Sequence, residues 1–241
     1  MPGLGTIINA ALLTLGGVLG LLIGRAIKPS LKDAMIMACG ISVIFIGGGG
    51  AIAGMLVRDG EGFSTTGGMM LVASLCIGGL VGEMIDIERG CEKLGVWLRK
   101  RSHSEGDTSF IDGFLTASLT VCIGAMAVIG PVRDALYGDI SILVTKGILD
   151  AVIVMALAST MGRGTVFSVV PLVIFQGAMT LFAVLLEGIM NEAATAALST
   201  VGSVLIFCVG INLTFGKKVK VANFLPALIV AVVWSYLPIG L

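Results

Sequence analysis

The chain alternates long apolar runs with short polar gaps. A membrane crossing needs about 20 mostly apolar residues for a hydrocarbon layer of about 30 Å. By that measure eight runs qualify: Leu4–Gly24, Ala34–Val57, Gly68–Ile85, Ile111–Ile129, Ile140–Met161, Val166–Leu186, Ala194–Phe215 and Ala222–Leu237. They are apolar on every face rather than alternating, which excludes a β-barrel and predicts an all-α, polytopic membrane protein with about eight transmembrane helices. The 35 glycines do not spoil this, because a backbone in lipid must satisfy its own hydrogen bonds and stays helical where water would favour coil. The first run starts beside Met1 with no basic segment before it, so it reads as a retained helix, not a cleaved signal.

Composition sharpens the picture. Of 241 residues, 56% are hydrophobic and 12% charged, too few polar side chains to coat a soluble globule. Residues 1–241 therefore read as one integral membrane domain. Formal net charge is zero, and without a clustered basic surface nucleic acid is excluded as a partner. The charges are unevenly placed. Four alternate gaps hold Arg25, Lys28 and Lys32; Arg89, Lys93, Arg99, Lys100 and Arg101; Arg163; and Lys217, Lys218 and Lys220. The other gaps hold Arg58 and Arg133 among Asp59, Glu61, Asp134, Asp139, Glu187 and Glu192. The positive-inside rule makes the first set cytoplasmic and puts both termini outside.

The longest connection, 86–110, carries Ile87, Cys91, Leu94 and Leu98 at spacings of three and four, with Trp97 beside them. It predicts either an amphipathic helix on the inner membrane surface or a bare extension of the third span. His103, in the polar stretch that follows, reads as an ordinary surface residue.

Glycines mark packing faces. Gly16, Gly20 and Gly24 fall four apart, as do Gly78 and Gly82, and Gly50 and Gly54, and such faces let helix backbones approach closely. The run Gly47, Gly48, Gly49 and Gly50 predicts either an unwound helix break or close packing of an intact helix. Pro29 and Pro131 are expected just beyond spans, with Pro171 and Pro226 in early turns.

Candidate chemistry is sparse. Lys146 and Asp150 stand four apart in the fifth span, on one face and near its middle, where a charge costs about 2.5–3.5 kcal/mol without a partner. They are the natural partners of each other, as a structural pair or as part of a solute path. Gln176 lies within reach of Asp150 across an interface, and Asn9 is buried early in the first span. Glu83 and Asn212 sit near cytoplasmic ends, while Ser42, Thr145 and Ser168 are expected to bond their own helix backbones. The five cysteines show no metal-ligand spacing, and no hydrolase, zinc or nucleotide motif occurs. No catalytic residue, metal or cofactor is expected. Residues 38–48 align without a gap on 200–210, matching Gly40 with Gly202, Ile44 with Ile206, Phe45 with Phe207 and Gly48 with Gly210. That suggests an inverted repeat of spans one to three and six to eight.

Several stretches carry a resemblance: INAA at 8–11, LGGVLG at 15–20, GGLVGE at 78–83, IERG at 87–90, TKGILD at 145–150, the region 168–176, and NFLPA at 223–227. In order and spacing they resemble an uncharacterised bacterial inner-membrane family that includes YqgA and YdfK. The resemblance implies a multi-pass bacterial inner-membrane protein and no particular activity. Asn9, Glu83, Lys146, Asp150, Gln176 and Asn223 coincide with its motifs and are expected to share a cavity. Together these features point to a secondary transporter or permease for a small polar solute or ion. A structural or sensory membrane component is the alternative, and a channel or membrane enzyme the third. Membrane lipid and that solute are the expected partners, with room for a homo-oligomer.

Overall fold

A computed structural model describes residues 1–26, 28–59, 62–102, 109–123, 125–183 and 191–237. The chain order is α1 (Leu4–Ala26), α2 (Pro29–Met55), a hairpin of β1 (Leu56–Asp59) and β2 (Gly62–Thr65), α3 (Gly68–Ile85), α4 (Ile87–Arg101), α5 (Phe110–Cys122), α6 (Ala125–Tyr137) and α7 (Ser141–Met161). A 3-10 turn at Arg163–Ser168 leads into α8 (Val169–Leu181), then come α9 (Glu192–Phe215), a second 3-10 turn at Val221–Phe224 and α10 (Pro226–Trp234). Among the described residues, five helical stretches are long and apolar enough to cross a membrane: Leu4–Gly24, Gly68–Ile85, Ser141–Met161, Arg163–Leu181 and Glu192–Phe215. The bent pair α5–α6 would make a sixth, and Gly40–Met55 and Val221–Trp234 are apolar but shorter. His103, Glu61, Glu187 and the end of the expected sixth span at Leu186 lie outside the described residues.

Local signals set the helix ends. Pro29 and Pro226 occupy first turns, where a missing N–H costs nothing. The Asn191 side chain accepts from Ala194 N at 2.8 Å and caps α9. Asp86 adopts a left-handed backbone, φ 56° and ψ 57°, which ends α3 and turns the chain into α4.

The glycine faces decide which helices pair. A methyl added at Gly16, Gly20 or Gly24 would lie 2.8, 2.9 and 2.9 Å from the Cα atoms of Ala151, Met155 and Ser159. Both sets advance together, so α1 lies parallel and backbone-to-backbone against α7. On α2, Gly40, Gly47, Gly50 and Gly54 meet Thr214, Phe207, Ser203 and Thr200 of α9 in antiparallel order. Gly78 and Gly82 of α3 meet Ala227 at the start of α10 and Asn223 in the 3-10 turn before it, again antiparallel. Close approach of this kind replaces the hydrophobic drive that lipid cannot supply.

Contacts also sort the connections by end. Gly24 abuts Ser159, Gly164 abuts Phe110, Leu98 of α4 packs on Phe110, and Lys217 reaches Glu88 and Glu92. All four basic connections thus gather at one end. At the other, Gly5 N donates to Asp134 Oδ2 at 2.9 Å, and Gly130 abuts Leu143.

Four expectations need correction. The run Ile111–Ile129 is not one straight span: α5 stops at Cys122 and α6 leaves at 87° to it. The pair still carries the chain from the basic end, at Phe110, to the other, at Asp134. Of the two readings of Gly47–Gly50, the helix break drops out and close packing of an intact helix stands, since α2 is continuous through it and Gly47 serves contact with the α9 backbone. Pro131 lies inside α6. Lastly, α4 is a separate helix and not an extension of α3, and its apolar stripe faces inward. The stripe of Cys91, Leu94 and Leu98 packs on Phe110, Phe114 and Leu115 of α5, leaving Arg89, Lys93, Trp97 and Lys100 outward.

Candidate functional site

The break after α5 creates the site. Ile123 is extended, and its N–H caps Leu119 O at 3.1 Å. With the helix ended at Cys122, Val121 O is among its terminal carbonyls, beyond the regular ladder of the helix. Lys146 of α7 supplies the missing donor: its Nζ lies 2.8 Å from Val121 O and 2.5 Å from Asp150 Oδ2. The ammonium thus joins an i,i+4 carboxylate to the negative end of a half-length helix. The two side chains are 8% and 6% exposed, midway along the 21-residue α7.

Neutral polar groups surround the pair. Leu13, Val121, Val154 and Leu172 form a buried apolar layer. One helical turn away on α1, α7 and α8 stand Asn9, Asp150 and Gln176. Asn9 is 0% and Gln176 1% exposed, and neither Gln176 amide atom has a hydrogen-bond partner. The Asn9 amide faces Asp150 and backs onto Gly147. The pairing of Lys146 with Asp150 read from the sequence is therefore present, and Asn9 faces it.

Glu83 and Asn223 do not. They belong to a second cluster at the basic end, where Glu83 bonds Lys220 at 2.5 Å and the Asn223 amide at 2.6 Å. Asn223 Oδ1 also accepts from Glu88 N at 2.7 Å, capping α4. Lys217 bridges Glu88 and Glu92 at 2.7 and 2.8 Å. Burial alone would lower the pKa of Lys217, but the hydrogen bonds and charges of these two glutamates outweigh it and raise the value. The expectation of one shared cavity fails because α3–α10 and α1–α7–α8 present their polar groups to different parts of the bundle.

A cavity of about 220 Å³ opens at the basic end between Glu88, Asp112, Thr116, Asn212 and Lys217. One of about 310 Å³ lies toward the other end, beside Gly54, Thr66, Thr200 and Trp234. Both border α9, and neither includes Lys146 or Asp150. The sequence also gave no hint of two structural ties. Asn212 pins the loop after α9 by accepting from Lys218 N and Val219 N and donating to Val219 O. Asp134, read as a loop acid, is buried and binds the first turn of α1. Ser42 bonds its own helix at Ala38 O, whereas the buried Ser168 hydroxyl has no partner.

The fold and site define a polytopic α-helical membrane protein with an ion pair buried among its helices at the end of a broken one. The chain belongs to the bacterial family described as "Protein of unknown function (DUF554)", which it matches over residues 4–236. It is 33% identical over 226 residues to the "Uncharacterized membrane protein YdfK" of Bacillus subtilis, covering 94% of this chain and 93% of that one. To the "Uncharacterized protein YqgA" of Escherichia coli it is 28% identical over 232 residues, covering 95% and 94%. No solved structure matches the chain.

Proposed function

We propose that the protein is a secondary transporter or permease for a small polar solute or ion in the bacterial cytoplasmic membrane. The observation that carries this reading is the buried ion pair at the C-terminal end of a half-helix, with the buried Asn9 amide facing Asp150 and the Gln176 amide buried without a hydrogen-bond partner. Unsatisfied buried polar groups are costly and call for an explanation, and broken helices at mid-depth are where transporters handle solutes and ions. Catalysis has less support, because one ion pair lacks the convergent acids, bases or ligands a reaction needs. Eight spans with both termini outside fit the gathering of the four basic connections at one end, with α5–α6 as one broken span. An inverted repeat relating α1–α3 to α8–α10 fits the mutual contacts of α2 with α9 and of α3 with α10, each antiparallel.

Water access tests the reading without knowledge of the solute. In a background with Cys39, Cys76, Cys91, Cys122 and Cys208 replaced, Gln176→Cys should react with a small membrane-impermeant thiol reagent from at least one side of sealed vesicles. A cysteine there that never reacts from either side, in protein shown to be folded, would favour the structural reading, in which Lys146 and Asp150 only hold helices together.

A further inference from the structure

We infer that the Lys146 ammonium occupies a built-in seat for a monovalent cation, so that a sodium ion takes this seat once the ammonium is removed. The surroundings have the composition of such a seat. Asp150 offers a carboxylate, and Val121 offers a carbonyl at the end of a half-helix, the pairing of charge and unwound backbone that coordinates small cations within membranes. The Asn9 side-chain amide, fully buried, lies against the same carboxylate and can turn its oxygen toward a cation held there. Gln176, one helical turn from Leu172 of the adjoining apolar layer, is buried with both amide atoms unpartnered. The Val121 carbonyl, both carboxylate atoms and the Asn9 amide oxygen make four oxygens, suited to a hard cation.

Lys146 fills the seat from within. Its stem enters from one turn away on α7, and its Nζ bonds the carboxylate and the carbonyl together. The resident cation is thus part of the chain, and the wild-type protein has no vacancy for a metal ion there. This holds whether or not the protein moves a solute. If it does, sodium should be dispensable for that movement.

Thermal unfolding of purified protein in sodium chloride, against choline chloride at equal ionic strength, tests the inference directly. Wild type should unfold at the same temperature in both salts. Lys146→Ser removes the ammonium, leaves room and adds a hydroxyl oxygen. Its Tm should rise by about 3–6 °C at a sodium concentration ten times its Kd. Adding Asp150→Asn to that variant should abolish the rise. Lys146→Gln, which keeps more of the stem, should respond in the same direction by less. A variant too weak to purify in choline gives its answer on the column: a monodisperse peak in sodium alone supports the seat. The inference is overturned by folded Lys146→Ser that ignores sodium, by a wild type that responds to it, by a response that survives Asp150→Asn, or by aggregation of both variants in both salts.

Discussion

Removing Lys146 should harm the fold more than removing Asp150, although the two form one ion pair. Asp150→Ala leaves the ammonium still bonded to Val121 O. Breaking a buried pair from one side costs about 3–5 kcal/mol, and the surviving bond holds Asp150→Ala near the lower end. Lys146→Ala strands the carboxylate and the Val121 carbonyl together. An orphaned buried acceptor adds about 1–3 kcal/mol, so the total reaches about 4–8 kcal/mol. The double variant removes the unpaired charge but still leaves Val121 O bare, so it should fall below Lys146→Ala, with a coupling energy above about 2 kcal/mol between the sites. Reversible unfolding of the four proteins in mixed micelles, followed by circular dichroism, gives the whole cycle. Single variants each within about 1 kcal/mol of wild type would mean that the pair is solvated and that the buried geometry does not describe the protein in a membrane. Asp150→Ala costing more than Lys146→Ala would refute the role given to the end of α5.

Within the glycine run, Gly47→Ala should destabilise by about 1–3 kcal/mol, because its new carbon would lie 2.7 Å from Phe207 Cα. Gly49→Ala meets nothing within 4 Å and should be neutral or stabilising by up to about 1 kcal/mol, with the same unfolding assay deciding both. The pKa of Lys217 is raised, so its ties to Glu88 and Glu92 contribute fully below the ordinary lysine value of about 10.4 and fade as pH climbs through the higher folded value. The Tm difference between wild type and Lys217→Met should therefore stay flat across neutral pH and close only at strongly alkaline pH. Alkaline phosphatase fused after Leu241 should be active and a green fluorescent protein dark, and the opposite pattern would reverse the proposed orientation.

What could be read from the sequence was what lies within one helix. Lys146 and Asp150 share a face by spacing alone, and Gly16, Gly20 and Gly24 announce a close neighbour. The identity of that neighbour was not legible: nothing in the first run names Ala151, Met155 and Ser159 rather than another small-residue helix. Asn223 and Glu83, 140 residues apart, were singled out as motif residues but grouped with the wrong partners for the same reason. Hydropathy also hid the break after Cys122, since apolar residues continue through it, while four successive glycines advertised one in α2 that is absent. A glycine in a membrane helix can mean a weak backbone or a close neighbour, and the contact that separates these meanings comes from elsewhere in the chain.

The break also bears on how the protein enters the membrane. At 13 residues, α5 is about 20 Å long, short of the hydrocarbon thickness of about 30 Å, and its terminal carbonyls lie beyond its own ladder. The donor that covers one of them sits 25 residues further on, in a helix that has yet to emerge when α5 leaves the ribosome. Released singly into lipid, α5 would carry a bare acceptor at Val121, and α7 would keep its Lys146–Asp150 pair but lose the carbonyl that the ammonium also bonds. The segment from Phe110 to Met161 must therefore be held at the insertion machinery and handed over as one unit. Polypeptides arrested before Lys146 should remain beside the translocase, whereas those extended past Asp150 should leave it.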